Sequence, residues 1–280
     1  MSTDLRVLAA DTMRILDTGG YPAPSGGKVE IGETLRAAID GTHLYGPGDR
    51  LPESPAIAPT GPTTAGPATT GPATTGPAVS VTDESTLAAG RRLAARGPVA
   101  ALVFASAKHP GGGFRTGAKA QEEDIARASG LYRCLNAAPR FYAYHRSRSD
   151  NLYSDQVIYC PGVPVFRDDD GGLLDAAYLI SFLTAAAPNR GALPRSRAAQ
   201  VAQALAKRAA RVLAVATAHG HRRLVLGAWG CGVFRNDPAV VAEAFAGALA
   251  EQAGHLDEVV FAIMDRTGSR TRAAFVSRFG

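Results

Sequence analysis

Apolar and polar positions follow two patterns along the chain, one typical of strands and one typical of helices. The two patterns alternate, which predicts strands that alternate with helices. Short apolar runs with little alternation indicate buried strands, which are bounded by Gly, Pro and Asp clusters. The opening part of the chain holds one such strand, at 28–31. The remaining strands are predicted later in the chain, at 79–81, 99–105, 156–159, 163–166, 178–183, 223–228 and 258–264.

Apolar residues spaced three or four positions apart predict helices between these strands. One such stripe, Ile125, Ala128, Tyr132 and Leu135, lies in a predicted helix from Gln121 to Ala138. Strands alternating with helices indicate a layered α/β domain that binds ligands at the carboxyl ends of its strands. The predicted helices are 5–16 (capped by Thr3), 33–39, 83–95 (capped by Asp83 or Thr82), 121–138, 197–219 (with Val201, Leu205, Val212 and Leu213 inward), 238–253 (after Asn236 or Asp237) and a short one ending at Phe279.

Residues 51–78 interrupt this pattern with a near-repeat of Thr-Thr-Gly-Pro-Ala. The stretch has no large apolar side chain to bury, so we expect it to be disordered or extended. It is either a tether or docking arm, or an insertion tolerated in a surface loop, and we favour the insertion. The chain then divides into an N-terminal extension packed on the core (1–50), the insertion (51–78) and the core itself (79–280), which holds the candidate catalytic residues described below.

Composition is that of an ordinary globular protein. The 280 residues are 46% hydrophobic and 20% charged, with a formal charge of +5 that mildly favours acidic partners. Cys134, Cys160 and Cys231 lie far apart, which argues against a zinc site or a disulfide framework. We find no signal peptide and no apolar run of about 18 residues. We therefore expect a soluble cytoplasmic protein with no metal.

A glycine-rich loop carries the first candidate chemistry. The predicted strand 99–105 leads to Pro110 and the triplet Gly111–Gly113, and a helix start follows at Gln121. Strand, glycine loop and helix start form a layout in which exposed N–H groups bind a diphosphate. The adjacent carboxylates of Glu122 and Glu123 would repel a phosphate, so we interpret them as acid–base groups. A Walker A motif is excluded, because Ala120 stands where it needs Ser or Thr.

A second glycine loop, Gly227–Asn236, also leaves a predicted strand and enters a predicted helix. Either loop alone would be weak evidence, because glycines also serve simple turns. Together, at neighbouring strand ends, the two loops could hold a diphosphate from both sides.

These motifs resemble a known family. The glycine triplet, a spacer of seven residues and Gln121-Glu122-Glu123 are similar to the signature of the microbial poly(ADP-ribose) glycohydrolases, which are built on a macrodomain. Further blocks resemble the family at Asp11-Thr-Met, 21–26, 159–169, 187–189 and 227–236, so nearly the whole chain except the repeat is covered. The resemblance implies a three-layer α/β/α macrodomain with a mixed central sheet and an N-terminal helical extension.

The resemblance also implies an activity: hydrolysis of the ribose–ribose O-glycosidic bond of poly(ADP-ribose), releasing ADP-ribose, without a cofactor. By similarity, Glu123 is the catalytic acid and base, and Glu122 holds the ribose hydroxyls. His109 stands where the family often has Asn. The expected partners are the polymer and poly(ADP-ribosyl)ated proteins, with no direct DNA binding, and the expected state is a monomer. The implied substrate-binding residues are Gly112, Gly113, Gln121, Gly230, Gly232, Val233 and Phe234.

Residue chemistry alone does not choose between the two glutamates. Neighbouring carboxylates can keep one proton between them, which raises one pKa, whereas a helix N-terminus favours the anion. We expect the pKa of Glu123 to rise once substrate excludes water. Two alternatives remain: a macrodomain that reads ADP-ribose without cleaving it, and a hydrolase that removes single ADP-ribose units from proteins.

Overall fold

A seven-stranded mixed sheet forms the centre of the molecule, in a computed structural model that describes residues 4–53, 76–264 and 269–280. The sheet strands, in spatial order, are β3 (His43–Tyr45), β6 (Val157–Arg167), β7 (Leu173–Ala185), β5 (Ala100–Phe104), β8 (Arg223–Leu226), β9 (Glu258–Ala262) and β4 (Ala78–Thr82). Strands β7, β5, β8, β9 and β4 are parallel, and β6 is antiparallel to both of its neighbours. A separate hairpin pairs β1 (Gly20–Pro22) with β2 (Lys28–Glu30).

Helices cover both faces of the sheet. One apolar cluster joins one face to α3 (Thr86–Ala94), α4 (Gln121–Ala128), α5 (Leu131–Asn136) and α6 (Pro139–Arg146). A second cluster joins the other face to α7 (Ala198–Ala218), α8 (Pro238–Glu251) and α9 (Arg270–Phe279). The expected three-layer α/β/α architecture with a mixed sheet is confirmed.

The N-terminal segment is attached to this core by packing, by a hydrogen bond and by an edge strand. Helices α1 (Leu5–Thr18) and α2 (Gly32–Asp40) pack with the β1–β2 hairpin around Phe166 of β6. Thr12 of α1 donates a hydrogen bond of 2.5 Å to the carbonyl of Arg127 on α4. Strand β3 also joins the central sheet as an edge strand, so residues before 50 contribute to the core sheet itself.

Several predicted boundaries were wrong for identifiable reasons. The single helix 121–138 is two helices, because Ser129 forms a bridge with Val165 and Gly130 fits closely against Pro164 and Leu35. The strands 156–159 and 163–166 are one strand with a register shift after Cys160.

The predicted helix caps also need correction. Helix α3 starts at Thr86 rather than 83, because the side chain of Ser85 accepts from the N–H of Ala88. Asp4, not Thr3, caps α1, and Asp237, of the two candidates, caps α8. Strands β1 and β3 and helix α6 were not predicted.

The Thr-Gly-Pro repeat lies mostly outside the described residues, at 54–75, so its expected disorder stays a prediction. Ala78, the last residue of the predicted insertion, already belongs to β4, where it pairs with Glu258. Among the described helices, none is both long and apolar enough to cross a membrane.

Candidate active site

The first glycine loop leaves the carboxyl end of β5 and turns back into α4. Gly111 and Gly112 have φ values of +67° and +56°, a region in which a side chain is strained. A Cβ at Gly112 would lie 2.2 Å from Oε1 of Glu123 and 3.4 Å from Oε2 of Glu122. Gly112 therefore lies against both carboxyl groups, and only glycine allows this approach.

Glu122 is buried beneath the loop, with 2% of its surface exposed. Its Oε2 accepts from the N–H of Ser106 at 2.6 Å, and its Oε1 accepts from the N–H of Gly111 at 3.1 Å. The pKa of Glu122 is raised to about 8, mainly by burial and also by the charge of Glu123, although the two N–H bonds oppose the rise. Glu122 therefore keeps its proton to a higher pH than an ordinary glutamate does.

Glu123 lies nearer the surface and is half-buried. Its Oε1 accepts from the N–H of Gly113 at 3.0 Å. The raised pKa is thus found at Glu122. The sequence had led us to expect a raised pKa at Glu123, although only in the substrate complex.

Gln121 braces the end of β5. Its Oε1 accepts from the N–H of Phe104 at 2.8 Å, and its Nε2 donates to the carbonyl of Leu102 at 2.7 Å and to Oγ1 of Thr86 at 3.0 Å. Both amide protons are therefore used inside the protein. The predicted contact of Gln121 with substrate stays a prediction, and the structure adds a bracing role.

The second glycine loop leaves β8 beside the first, because β5 and β8 are parallel neighbours. A Cβ at Gly227 would meet the ring of Phe104 at 2.9 Å, so the two strand ends touch. The indole N–H of Trp229 donates to the carbonyl of Ala185 at 3.0 Å. The side-chain amide of Asn236 donates to the carbonyl of Gly230 at 3.1 Å and closes the loop.

The tip of this loop presents backbone groups outward. Gly232 and Val233 are exposed, Val233 to 84%, and Phe234 is half-buried. Among the described residues, no acceptor bonds the N–H groups of Gly232, Val233 and Phe234. Successive free N–H groups in a turn suit an anion such as a diphosphate.

A cavity of about 670 Å³ opens at the same strand ends and continues between α1 and α4. Its wall includes Phe104, Gln121, Ala228, Ala262 and Met264, at or just beyond the ends of β5, α4, β8 and β9. This volume lies in the range of small-molecule sites. Of the two loops, only Lys119 and Ala228 line the cavity, so it lies next to the paired glutamates and the loop tips and does not contain them.

Other sequence candidates have structural explanations. His109 is exposed on the first loop. Asp168 accepts from the N–H groups of Asp170 and Gly172 and so stabilises its turn, and no cluster of metal-ligating side chains occurs among the described residues. Of the aromatic and basic group on α6, Tyr142 and His145 are buried, Tyr144 is half-buried and Arg146 is exposed.

Sequence reasoning missed three contributors to the site. Ser106 contributes a backbone N–H, which no side-chain pattern reveals. Tyr153 packs on Phe234 from the connection between α6 and β6. Arg208 holds that connection from α7, where the sequence does not distinguish it from the neighbouring Lys207 and Arg211.

Fold and site together define an α/β protein that binds a phosphate-bearing ligand next to a pair of carboxyl groups. Residues 9–168 match the family model "Microbial-type PARG, catalytic domain", in which PARG stands for poly(ADP-ribose) glycohydrolase. The chain belongs to this family, as the resemblance indicated.

Solved structures agree with the family assignment. Poly(ADP-ribose) glycohydrolase from Thermomonospora curvata is 49% identical, with a TM-score of 0.86, over 98% of this chain and 99% of that chain. Its complex with the inhibitor ADP-HPD gives 47% identity and a TM-score of 0.85 over the same shares. The enzyme from Deinococcus radiodurans in complex with ADP-ribose gives 42% and 0.74, over 87% of this chain and 96% of that chain. A comparison with curated proteins gave no match.

Proposed function

We propose that this chain hydrolyses the ribose–ribose O-glycosidic bond of poly(ADP-ribose) and releases ADP-ribose, with Glu123 as general acid and base. The observation that carries the proposal is the position of Glu122 and Glu123, whose carboxyl groups both lie against Gly112 beside the second glycine loop. The family assignment and the ADP-ribose complexes of its relatives support it.

Binding of one ADP-ribose unit follows from the two loops and the cavity. The N–H groups of Gly232, Val233 and Phe234 would donate to the diphosphate, and Gly230 would allow the chain to turn there. Gly112 and Gly113 would lie close to the ribose and diphosphate. The cavity beyond Phe104 would take the adenosine end of the unit, and the ring of Phe234 would orient the ribose at the scissile bond.

The two glutamates would divide the chemistry. Glycoside hydrolysis needs a protonated carboxyl group for the departing oxygen and a base for the attacking water, around an oxocarbenium-like centre. A raised pKa at Glu122 supports a pair that holds one proton near neutral pH. Glu123 would receive the proton of the pair in the substrate complex, donate it to the leaving ribose oxygen and then deprotonate the water, because its carboxyl is the more accessible one. Glu122, fixed by two N–H bonds, would hold the ribose hydroxyls.

The polymer, free or attached to proteins, is the proposed partner of this macrodomain. The described thiols of Cys134, Cys160 and Cys231 are all free, which supports a reducing compartment such as the cytoplasm.

The test replaces one carboxyl group. Glu123→Gln should keep ADP-ribose binding, measured by calorimetry, and should slow ADP-ribose release from the polymer by about 10²- to 10⁴-fold, the usual contribution of a general acid. Glu33→Gln is the matched control, because Glu33 is also an acid in the first turn of a helix, but an exposed one on α2.

Three outcomes would contradict the proposal. Undiminished turnover in Glu123→Gln would remove Glu123 from the mechanism. A wild-type protein that binds ADP-ribose and leaves the polymer intact would be a reader. A protein that releases ADP-ribose only from mono-ADP-ribosylated proteins would be a hydrolase of single ADP-ribose units.

A further inference from the structure

An aromatic contact supports Phe234 from behind. The ring of Tyr153 lies 5.9 Å from that of Phe234, tilted by 46°, and the ring of His145 lies 5.7 Å from that of Tyr153, nearly perpendicular to it. Both are favourable aromatic geometries. Tyr153 also has a φ of +59°, which is uncommon for a residue with a side chain. Such a conformation persists only where the surroundings hold it.

Arg208 of α7 holds the segment that carries Tyr153. It is only 1% exposed, and its Nη2 donates to the carbonyl of Leu152 at 3.1 Å and to Oδ1 of Asp155 at 3.1 Å. Its Nη1 donates to the carbonyl of Ala186 at 2.5 Å. The guanidinium therefore joins both sides of Tyr153 to the end of β7. Burying a cation is costly, so this arrangement depends on all of these partners.

The same segments reach the second glycine loop. The N–H of Asn189 donates to the carbonyl of Asn151 at 2.8 Å, which ties the stretch after β7 to the stretch around Tyr153. The N–H of Gly191 then donates to the carbonyl of Phe234 at 2.9 Å. The stretch after β7 thus holds the backbone of Phe234, and the stretch around Tyr153 holds its ring. Arg208 joins these two stretches.

We propose that Tyr153 is a positioning residue that sets the ring of Phe234 before substrate arrives, and that Arg208 keeps Tyr153 in place. The inference rests on the proposed function, in which Phe234 orients the ribose at the scissile bond. Preorganised positioning of the reacting group lowers the barrier of the chemical step, whereas the diphosphate contacts come from backbone N–H groups that Tyr153 does not supply. Loss of the Tyr153 ring should therefore reduce kcat more than it changes KM.

The experiment compares three substitutions at one position. Tyr153→Leu removes the ring and should lower kcat for polymer hydrolysis about tenfold, with KM changed less than about threefold. Tyr153→Phe keeps the ring and should restore kcat to within about twofold. Tyr153→Asn also removes the ring, and Asn tolerates a positive φ. It should therefore show the same tenfold loss of kcat without backbone strain, and it tests the proposal if the Leu variant folds poorly. Lys207→Ala is the control, because exposed Lys207 pairs with Asp155 at 2.9 Å without touching Tyr153.

A double-mutant cycle separates positioning from general destabilisation. In a Phe234→Leu background, Tyr153→Leu should lower kcat no further, because the ring it positions is already absent. Full additivity of the two kcat effects would overturn the inference. So would a wild-type kcat in Tyr153→Leu.

Amide hydrogen exchange tests the inference without hydrolysis. The amides of Arg235, Asn236 and Gly191, which are hydrogen-bonded within or onto the second glycine loop, should exchange severalfold faster in Tyr153→Leu than in wild type or Tyr153→Phe. If wild type failed to cleave the polymer, the proposed function would fall and this measurement would still decide the positioning role. Unchanged exchange in Tyr153→Leu would overturn it.

Discussion

At the scale of single residues, Glu122 links the chemistry of the site to the stability of the fold. Its pKa is raised from 4.5 to about 8 because burial penalises the charged form more than two N–H bonds favour it. An acid with a raised pKa in the folded state binds a proton that the unfolded chain has already lost. The contribution of Glu122 to the unfolding free energy is therefore fully present below pH 4.5 and is lost as the pH rises towards 8.

Glu122→Gln should remove this dependence. The unfolding free energy of the variant relative to wild type should increase by about 2 kcal/mol between pH 5 and pH 7, as pKa values of 4.5 and about 8 imply. Urea unfolding at several pH values measures the difference. If the difference in unfolding free energy between the variant and wild type stayed constant over this range, Glu122 would be ionised in the folded protein. Glu33→Gln again serves as the exposed control.

Sequence alone located the two glutamates and the glycine loops, because residue types and spacing carry that information. It did not show which carboxyl is buried. That depends on the N–H groups of Ser106 and Gly111, which converge on Glu122 only after the loop has folded back on α4. Tyr153 was missed for the same reason, since its contact with Phe234 spans distant parts of the chain.

At the scale of elements, local periodicity predicted the order of strands and helices but not their breaks. The apolar stripe from Ile125 to Leu135 is continuous in sequence, yet the helix ends at Ala128. Ser129 pairs with Val165 of β6, and a Cβ at Gly130 would lie 2.6 Å from the side chain of Leu35. These partners are far away in sequence, so tertiary contacts overrode the helical pattern.

The second glycine loop offers a test of element geometry with a matched pair. At Gly230, with φ +72°, a Cβ would lie 2.5 Å from both Ala187 and the amide of Asn236, whereas nothing lies within 4 Å of a Cβ at Gly232. Gly230→Ala should therefore lower the unfolding free energy by about 2 kcal/mol. For a domain of this size that corresponds to a loss of roughly 4 to 8 °C in Tm.

Thermal unfolding of the two variants checks this prediction. Gly232→Ala should unfold within about 1 °C of wild type, because its side chain would point into open space. Equal losses in both variants would mean that the loop does not need the turn at Gly230.

At the scale of the whole molecule, a histidine–tyrosine cluster joins three distant parts of the chain. Tyr45 of β3 bonds His219, Tyr159 of β6 bonds His221 at 2.9 Å, and the rings of Tyr159 and His219 stack at 3.7 Å. The pKa of His221 is lowered from 6.5 to about 4, mainly by burial and also by the neighbouring His219. Nδ1 of His221 has no partner among the described residues, so a second ring proton there would be buried without an acceptor.

This cluster should make the fold sensitive to acid. A histidine with a lowered pKa in the folded state takes up its proton more readily when unfolded, so its contribution is complete above pH 6.5 and is lost as the pH falls towards 4. For His221 the loss at pH 5 is about 2 kcal/mol. His221→Phe should reduce the loss of unfolding free energy between pH 6.5 and pH 4.5 by about 2 kcal/mol and so flatten the slope, whatever the variant costs at pH 8. Exposed His255, replaced by Gln, should leave the slope as it is, and an unchanged slope in His221→Phe would mean that His221 is charged in the folded protein.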